Sequence, residues 1–280
     1  MPYVSLNDTR FFYQQAGEGP DVVLVHAVTS NLALWLFINL IDALAADFRV
    51  TAFDLRGHGA SDVTPTGYTS ADMARDLNDL HSALNLGPAY LVGHSFGGVI
   101  AMHAAVLYPD RVAGVIVADS YFPGLSHIEL NPGEANVWQE VKDGLGRSGI
   151  PIGDRVDLTR LFRIVAALTS EQTERIKTEL GPAFMRWLSQ LPRLAPTTCG
   201  DDVFAVAGLT AERIAGVRQP VVALYDEYTP FPATRRYLKE HLRNCTADVV
   251  PQARHMAPLQ NPTAFVQLVN KHLRALAFSQ

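Results

Sequence analysis

Residues 89–100 read AYLVGHSFGGVI: an apolar run, a serine flanked by glycines, and a second apolar run. Taken in order this is strand, tight turn, helix. Gly93, Ser95 and Gly97 satisfy G-x-S-x-G, a pattern whose letters are weak by themselves and informative in that setting. There the flanking glycines let a strained corner form without side-chain clash, leaving the Ser95 hydroxyl exposed above a sheet. A helix beginning at this point also aims unpaired N–H groups and its positive end at any oxyanion.

Similar apolar runs lie on both sides of it: VVLVH (22–26), FRVTAFD (48–54), VAGVIVAD (112–119), PVVALY (220–225) and TADVV (246–250). Hydrophobicity that is continuous rather than alternating fits strands buried on both faces, as in a parallel sheet covered by helices. Between the runs, Met73, Leu77, Leu80 and Leu84 recur at helical spacing behind an N-cap at Ser70, with Gly87 as the stop. Further helices are expected over 32–46, from Gly97 towards Pro109, and over 262–278. The alternation predicts an α/β fold with a doubly wound, mostly parallel sheet. It breaks between 120 and 205, where helical patterns carry Trp138, Phe162, Phe184 and Trp187 and no strand is evident. The expected organisation is therefore a core of 1–119 and 206–280 with a helical cap, 120–205, inserted over the carboxyl ends of the strands, where such sheets place ligands. Trp138, Trp187, Phe162 and Tyr121 are the pocket candidates, the bland reading being that such aromatics form the cap's own core.

The 280 residues, 48% of them hydrophobic, suffice for a large buried core. A net charge of −5 without a Lys/Arg run gives no electrostatic footprint for nucleic acid or an anionic membrane. Neither partner is implied, and no feature specifies an oligomeric state. The start, MPYVSLNDTRFF, lacks the pattern of a signal peptide. The most apolar stretch, 32–46, contains Asn39 and Asp42 and is shorter than the roughly 18 residues a membrane span needs. Cys199 and Cys245, with no CxxC or Cys/His metal spacing, read as free thiols in the reducing cytoplasm. No metal or organic cofactor is implied.

A serine hydroxyl needs a general base to take its proton at neutral pH. His255, in ARHMAPLQNP (253–262), lies on a short loop between the last strand and the last helix, at the carboxyl end of the sheet. His26, His58, His94 and His103 fit packing or backbone hydrogen bonding better, with His26 placed to shape the loop after the first parallel strand. The run LVHAVTSNLALW (24–35), the turn FDLRGHGASD (53–62), GHSFGG (93–98) and RHMAPLQNP (254–262) together resemble the α/β-hydrolase superfamily over nearly the whole chain. The resemblance implies an eight-stranded sheet, Ser95 as nucleophile, His255 as base, and an oxyanion hole from the backbone N–H groups of Phe96 and Val28. Three positions depart from the family's pattern: Ala27 and Arg254 stand where glycines are usual, and Gln260 where an acid is common.

The third member of the triad is the open point. In most of the family the acid follows the seventh strand in a pattern like G-E-x-D-x-x-x-P. On VVALYDEYTPFP (221–232), Asp226 takes the glycine slot, Glu227 the glutamate slot, and Thr229 the place of the aspartate. Threonine cannot balance an imidazolium. The acid is then Asp119, at the end of the sixth strand as in some haloalkane dehalogenases and a zearalenone lactonase, or else Asp226 or Glu227. Asp119 is the favoured expectation. With a serine nucleophile the resemblance implies hydrolysis of small or medium carboxylic esters or lactones through an acyl-enzyme. Alternatives on the same constellation are C–C bond, thioester or amide hydrolysis and cofactor-free dioxygenation. A ligand receptor without catalysis is the alternative of a different class.

Overall fold

The computed structural model describes residues 2–133, 137–154 and 156–278. Eight strands, β1 (Tyr3–Leu6), β2 (Thr9–Ala16), β3 (Asp21–Val25), β4 (Arg49–Phe53), β5 (Ala89–His94), β6 (Val112–Ala118), β7 (Val221–Asp226) and β8 (Cys245–Val250), form one sheet in the order β1-β2-β4-β3-β5-β6-β7-β8. Strands β3 to β8 pair in parallel, and β1 and β2 are antiparallel at one edge. The parallel six are the apolar runs of the sequence. YVSL and TRFFYQQA mix polar with apolar residues and stay partly exposed, so they escape a search for continuous hydrophobicity.

Four helices precede β6 in the chain: α1 (Ala33–Phe37), α2 (Leu40–Ala45), α3 (Ser70–Ala83) and α4 (Phe96–Leu107). Between β6 and β7 follow α5 (Gln139–Arg147), α6 (Leu158–Ala166), α7 (Ser170–Leu188), α8 (Cys199–Asp202) and α9 (Ala211–Ala215), and after β7 come α10 (Pro232–His241), α11 (Ala257–Gln260) and α12 (Pro262–Phe278). Two apolar cores lie on the two faces of the sheet. Val22 and Leu24 pack with Trp35, Leu44 and Phe265 on one side, while Val23 and Val25 pack with Leu77 and Ile100 on the other. Successive residues of a strand point to opposite faces, so a doubly covered strand is apolar at every position.

Three local expectations are corrected. The apolar stretch 32–46 is two short helices, because Asn39 turns left-handed at φ 60° between them, a conformation asparagine tolerates better than most residues. The cap of α3 is Thr69, whose hydroxyl oxygen accepts the Asp72 N–H at 3.2 Å. Ser70 is the first helical residue instead, buried with its Oγ 3.0 Å from His103 Nδ1, and the chain leaves the helix at left-handed Asn85, ahead of Gly87.

Among the described residues, the segment 120–205 holds helices and no strand. It is fastened to the core at the loops after β3 and β4. Asn31 Nδ2 donates to Gln190 Oε1 at 2.6 Å, the Trp187 indole N–H to Thr29 Oγ1 at 3.4 Å, and the Tyr68 N–H to Asp202 Oδ2 at 3.1 Å. No helix among the described residues is long and apolar enough to cross a membrane.

Candidate active site

The corner between β5 and α4 places Ser95 at φ 53° and ψ −120°. A Cβ added at Gly93 would run into the backbone of Gly97, and one at Gly97 into the carbonyl of Val25. Only glycine fits at either place. Strand β6 lies directly beside β5 with Ala118 opposite His94, and the Ser95 N–H donates to the Ala118 carbonyl at 2.8 Å. Asp119, one residue further, therefore emerges next to the Ser95 turn. His255 arrives from the loop after β8. All three residues have positive φ, at 53°, 43° and 62°. Such conformations cost roughly 1–3 kcal/mol each for side-chain-bearing residues and persist where the surroundings over-determine them.

These three turns bring the side chains into one line. Ser95 Oγ is 3.2 Å from His255 Nε2, and His255 Nδ1 is 2.8 Å from Asp119 Oδ2. Asp119 is fully buried and His255 only 7% exposed. Since a carboxylate only accepts, Nδ1 carries the proton and Nε2 is free to accept the serine proton. The other Asp119 oxygen receives the backbone N–H of Asp226 at 3.1 Å. The Phe231 ring stands edge-on to the imidazole, 5.5 Å between centroids.

The other two carboxylates considered for this place are engaged elsewhere. Asp226 Oδ2 accepts the Ala257 N–H at 3.0 Å, and Glu227 Oε2 accepts the Gln252 N–H at 2.8 Å. Both brace the backbone of the His255 loop. Thr229 Oγ1 accepts the Phe231 N–H at 3.0 Å. Burial, reinforced by neighbouring Asp119, pushes the Asp226 carboxyl up to about 8. A folded-state value raised above the unfolded one means that this group's contribution to stability is complete below pH 3.8 and lost as pH rises through about 8. Asp226→Asn mimics the protonated form and keeps an acceptor for Ala257. Its melting temperature, measured against wild type across this range, is expected to gain steadily up to about pH 8 and level off beyond; a pH-independent difference would contradict it.

The loop after β3 and the corner after β5 supply one donor each. The backbone N–H groups of Val28 and Phe96 have no hydrogen-bond partner among the described residues, and both residues line the cleft that holds Ser95 and His255. Two buried histidines shape the loop after β3. His26 donates Nδ1–H to the Ala27 carbonyl at 2.8 Å and accepts the Leu55 N–H at Nε2, 3.0 Å. His58 donates Nδ1–H to the Arg56 carbonyl at 2.8 Å and accepts the Thr29 N–H at 3.2 Å. Burial holds His26 near 4, and burial with the adjacent His26 holds His58 near 3. Both stay neutral at physiological pH, so each keeps one acceptor nitrogen for the loop.

The cleft encloses about 380 Å³, part of it open to solvent. Its outer wall comes from the segment after β6: Tyr121, Pro132, Val137, Trp138, Val203 and Phe204. Two of the four pocket candidates, Tyr121 and Trp138, are there. Phe162 is not; at 1% exposure it is part of the apolar core, where its helix packs inward. Trp187 is not a lining residue either, because its ring packs on Phe184 at 5.3 Å and its N–H is directed to Thr29. Pro132, Val137, Val203 and Phe204 escaped the sequence reading, since no spacing marks apolar residues brought over the sheet from separate turns. Among the described residues no group of three or more His, Cys, Asp or Glu side chains is arranged to hold a metal ion.

Residues 20–165 match the family model described as alpha/beta hydrolase fold, more than half of the chain. The chain belongs to the α/β-hydrolase family. A 2-(acetamidomethylene)succinate hydrolase of Mesorhizobium japonicum is 40% identical over 124 residues, a stretch covering 44% of each protein. The chain thus spans less than half the length of that relative. A pimeloyl-[acyl-carrier protein] methyl ester esterase of Chromobacterium violaceum is 29% identical over 96% of this chain and 100% of its own. Among solved structures, the enol-lactonase of Burkholderia xenovorans LB400 superposes with a TM-score of 0.70 at 21% identity, covering 97% of this chain and 99% of that one. At that identity the likeness speaks for the α/β-hydrolase fold alone.

Proposed function

We propose that this α/β-hydrolase is a serine hydrolase of carboxylic esters or lactones that works through an acyl-enzyme on Ser95. The observation that carries the reading is the unbroken relay from Ser95 Oγ through the His255 ring to buried Asp119, with two N–H groups beside it that have no partner among the described residues. Ser95 Oγ attacks the carbonyl carbon as His255 Nε2 takes its proton. Asp119 keeps the imidazole in the right tautomer and balances the imidazolium. The N–H groups of Val28 and Phe96 receive the oxyanion, at the positive end of α4. Nε2 then returns the proton to the departing alkoxide. Water, deprotonated by the same nitrogen, releases the acid in a second round; in a lactone both fragments leave as one hydroxy acid. The residues 120–205 act as the cap that selects the substrate, and the apolar wall of Val137, Trp138, Val203 and Phe204 suits an uncharged ester of modest size.

The test is turnover of short p-nitrophenyl esters and of a series of lactones, with and without chelator, beside labelling by an organophosphonate. Metal-independent hydrolysis and a single phosphonate adduct on Ser95 are expected. A strict metal requirement, or no adduct on Ser95, would sink the proposal.

A further inference from the structure

His94, between Gly93 and the nucleophile, is 1% exposed and takes part in no step above. Its Nε2 lies 2.7 Å from the main-chain carbonyl oxygen of His255. A carbonyl only accepts, so Nε2 bears the proton. The buried Nδ1 then is the bare nitrogen, and it has no partner among the described residues. Burial, and after it the nearness of His255, hold this ring near 4, so it is neutral wherever a histidine base could work.

What His94 grips is a strained piece of chain. The Met256 N–H donates to the Arg254 carbonyl at 2.8 Å, spanning His255 alone, and His255 has φ 62°. That combination is the left-handed γ-turn, the rare and strained form. Its flanks are braced by Gln260 Oε1 on the Arg254 N–H, 2.6 Å, and by Asp226 Oδ2 on the Ala257 N–H, 3.0 Å. Neither bond fixes the peptide of His255 itself. Among the described residues the His255 carbonyl has one hydrogen-bond donor, the ring of His94.

We propose that His94 is a positioning residue, a strut from the nucleophile turn to the base turn that holds the His255 peptide so that its imidazole meets Ser95 and Asp119 at once. The inference rests on the reading of His255 as general base. The two turns grow from β5 and β8, with β6 and β7 between them in the sheet, so no backbone ladder joins them directly. His94 supplies that link. It also has to be neutral: the two rings are 5.5 Å apart, and a cation there would oppose the imidazolium that forms on His255.

Two substitutions separate a strut from a mere filler. His94→Leu keeps an apolar body of similar bulk and removes the donor; the amide nitrogen of His94→Gln reaches roughly where Nε2 lies and keeps it. His94→Leu is expected to lower kcat on the order of 10²-fold, the scale set by a misplaced catalytic group, with KM little changed and phosphonate labelling slowed in proportion. His94→Gln should recover most of this at a similar melting temperature. Equal kinetics for the two variants, whether both intact or both impaired, overturn the proposal. Should His94→Leu not fold, ¹⁵N spectra of the wild-type imidazoles decide: a neutral Nε2–H tautomer for His94 is expected, and an Nδ1–H tautomer refutes the strut. A wild-type protein that never labels at Ser95 would instead remove the hydrolase reading, while the tautomer is read without any substrate.

Discussion

Ser95→Ala is expected to lower kcat by about 10⁶-fold for every ester the protein accepts, with KM changing far less. The substitution deletes one oxygen. It leaves the corner glycines, the His255–Asp119 hydrogen bond and the N–H groups of Val28 and Phe96 in place, so the loss isolates the nucleophile rather than the architecture. Residual turnover above the reaction in water should survive at roughly 10³–10⁴-fold, from oxyanion stabilisation and binding. Alanine at φ 53° bears the same backbone strain as serine, so the melting temperature should stay close to wild type. The measurement is steady-state hydrolysis with protein free of wild-type contamination, paired with mass spectrometry of the phosphonate adduct. If the variant kept a few per cent of wild-type turnover, attack would have to come from water activated by His255, and the acyl-enzyme would fall with it.

The sequence carried much of the fold and part of the site, and the division has physical causes. Parallel strands such as β3 and β7 are legible because burial on both faces makes every residue of VVLV or VVAL apolar, whereas β1 and β2, half open at the sheet edge, have no such signature. Ser95 is legible because the corner excludes side chains at Gly93 and Gly97, so the geometry is written into the residue types. The Asp119 question was posed by the sequence through Thr229 and left open, because Asp119, Asp226 and Glu227 all stand at strand ends in suitable chain order. What separates them is which face of two adjacent strands each carboxylate leaves, and only the three-dimensional register places Asp119 on His255 while turning Asp226 to Ala257. The wall of the cleft was the least legible part. Val203 and Phe204 lie far along the chain from Pro132 and Val137, and an apolar residue that lines this cleft looks in sequence like Phe162, which belongs to the core.

The second large effect follows from that register. Asp119→Asn is expected to lower kcat by roughly 10⁴-fold, as the equivalent change does in serine protease triads, whereas Asp226→Asn and Glu227→Gln should each keep most of the activity. An asparagine at 119 can still accept the Asp226 N–H through its oxygen, at the 3.1 Å position, so the turn between β6 and the cap should hold. Its amide nitrogen would then face His255 Nδ1 as a donor. The imidazole can satisfy that donor only by moving its proton to Nε2, and a protonated Nε2 cannot accept from Ser95. The histidine is thereby left in the wrong tautomer, and the imidazolium formed during attack loses its counter-charge in a buried site. By contrast, among the described residues Asp226 and Glu227 receive only backbone N–H groups of the His255 loop, and an amide oxygen can do the same. The check is kcat for the three variants on one ester, together with the ¹⁵N tautomer of His255 in Asp119→Asn. A variant at 119 with near-native kcat, beside a collapse in Asp226→Asn at unchanged melting temperature, would move the acid to β7 and make the 2.8 Å bond between Asp119 and His255 a structural contact.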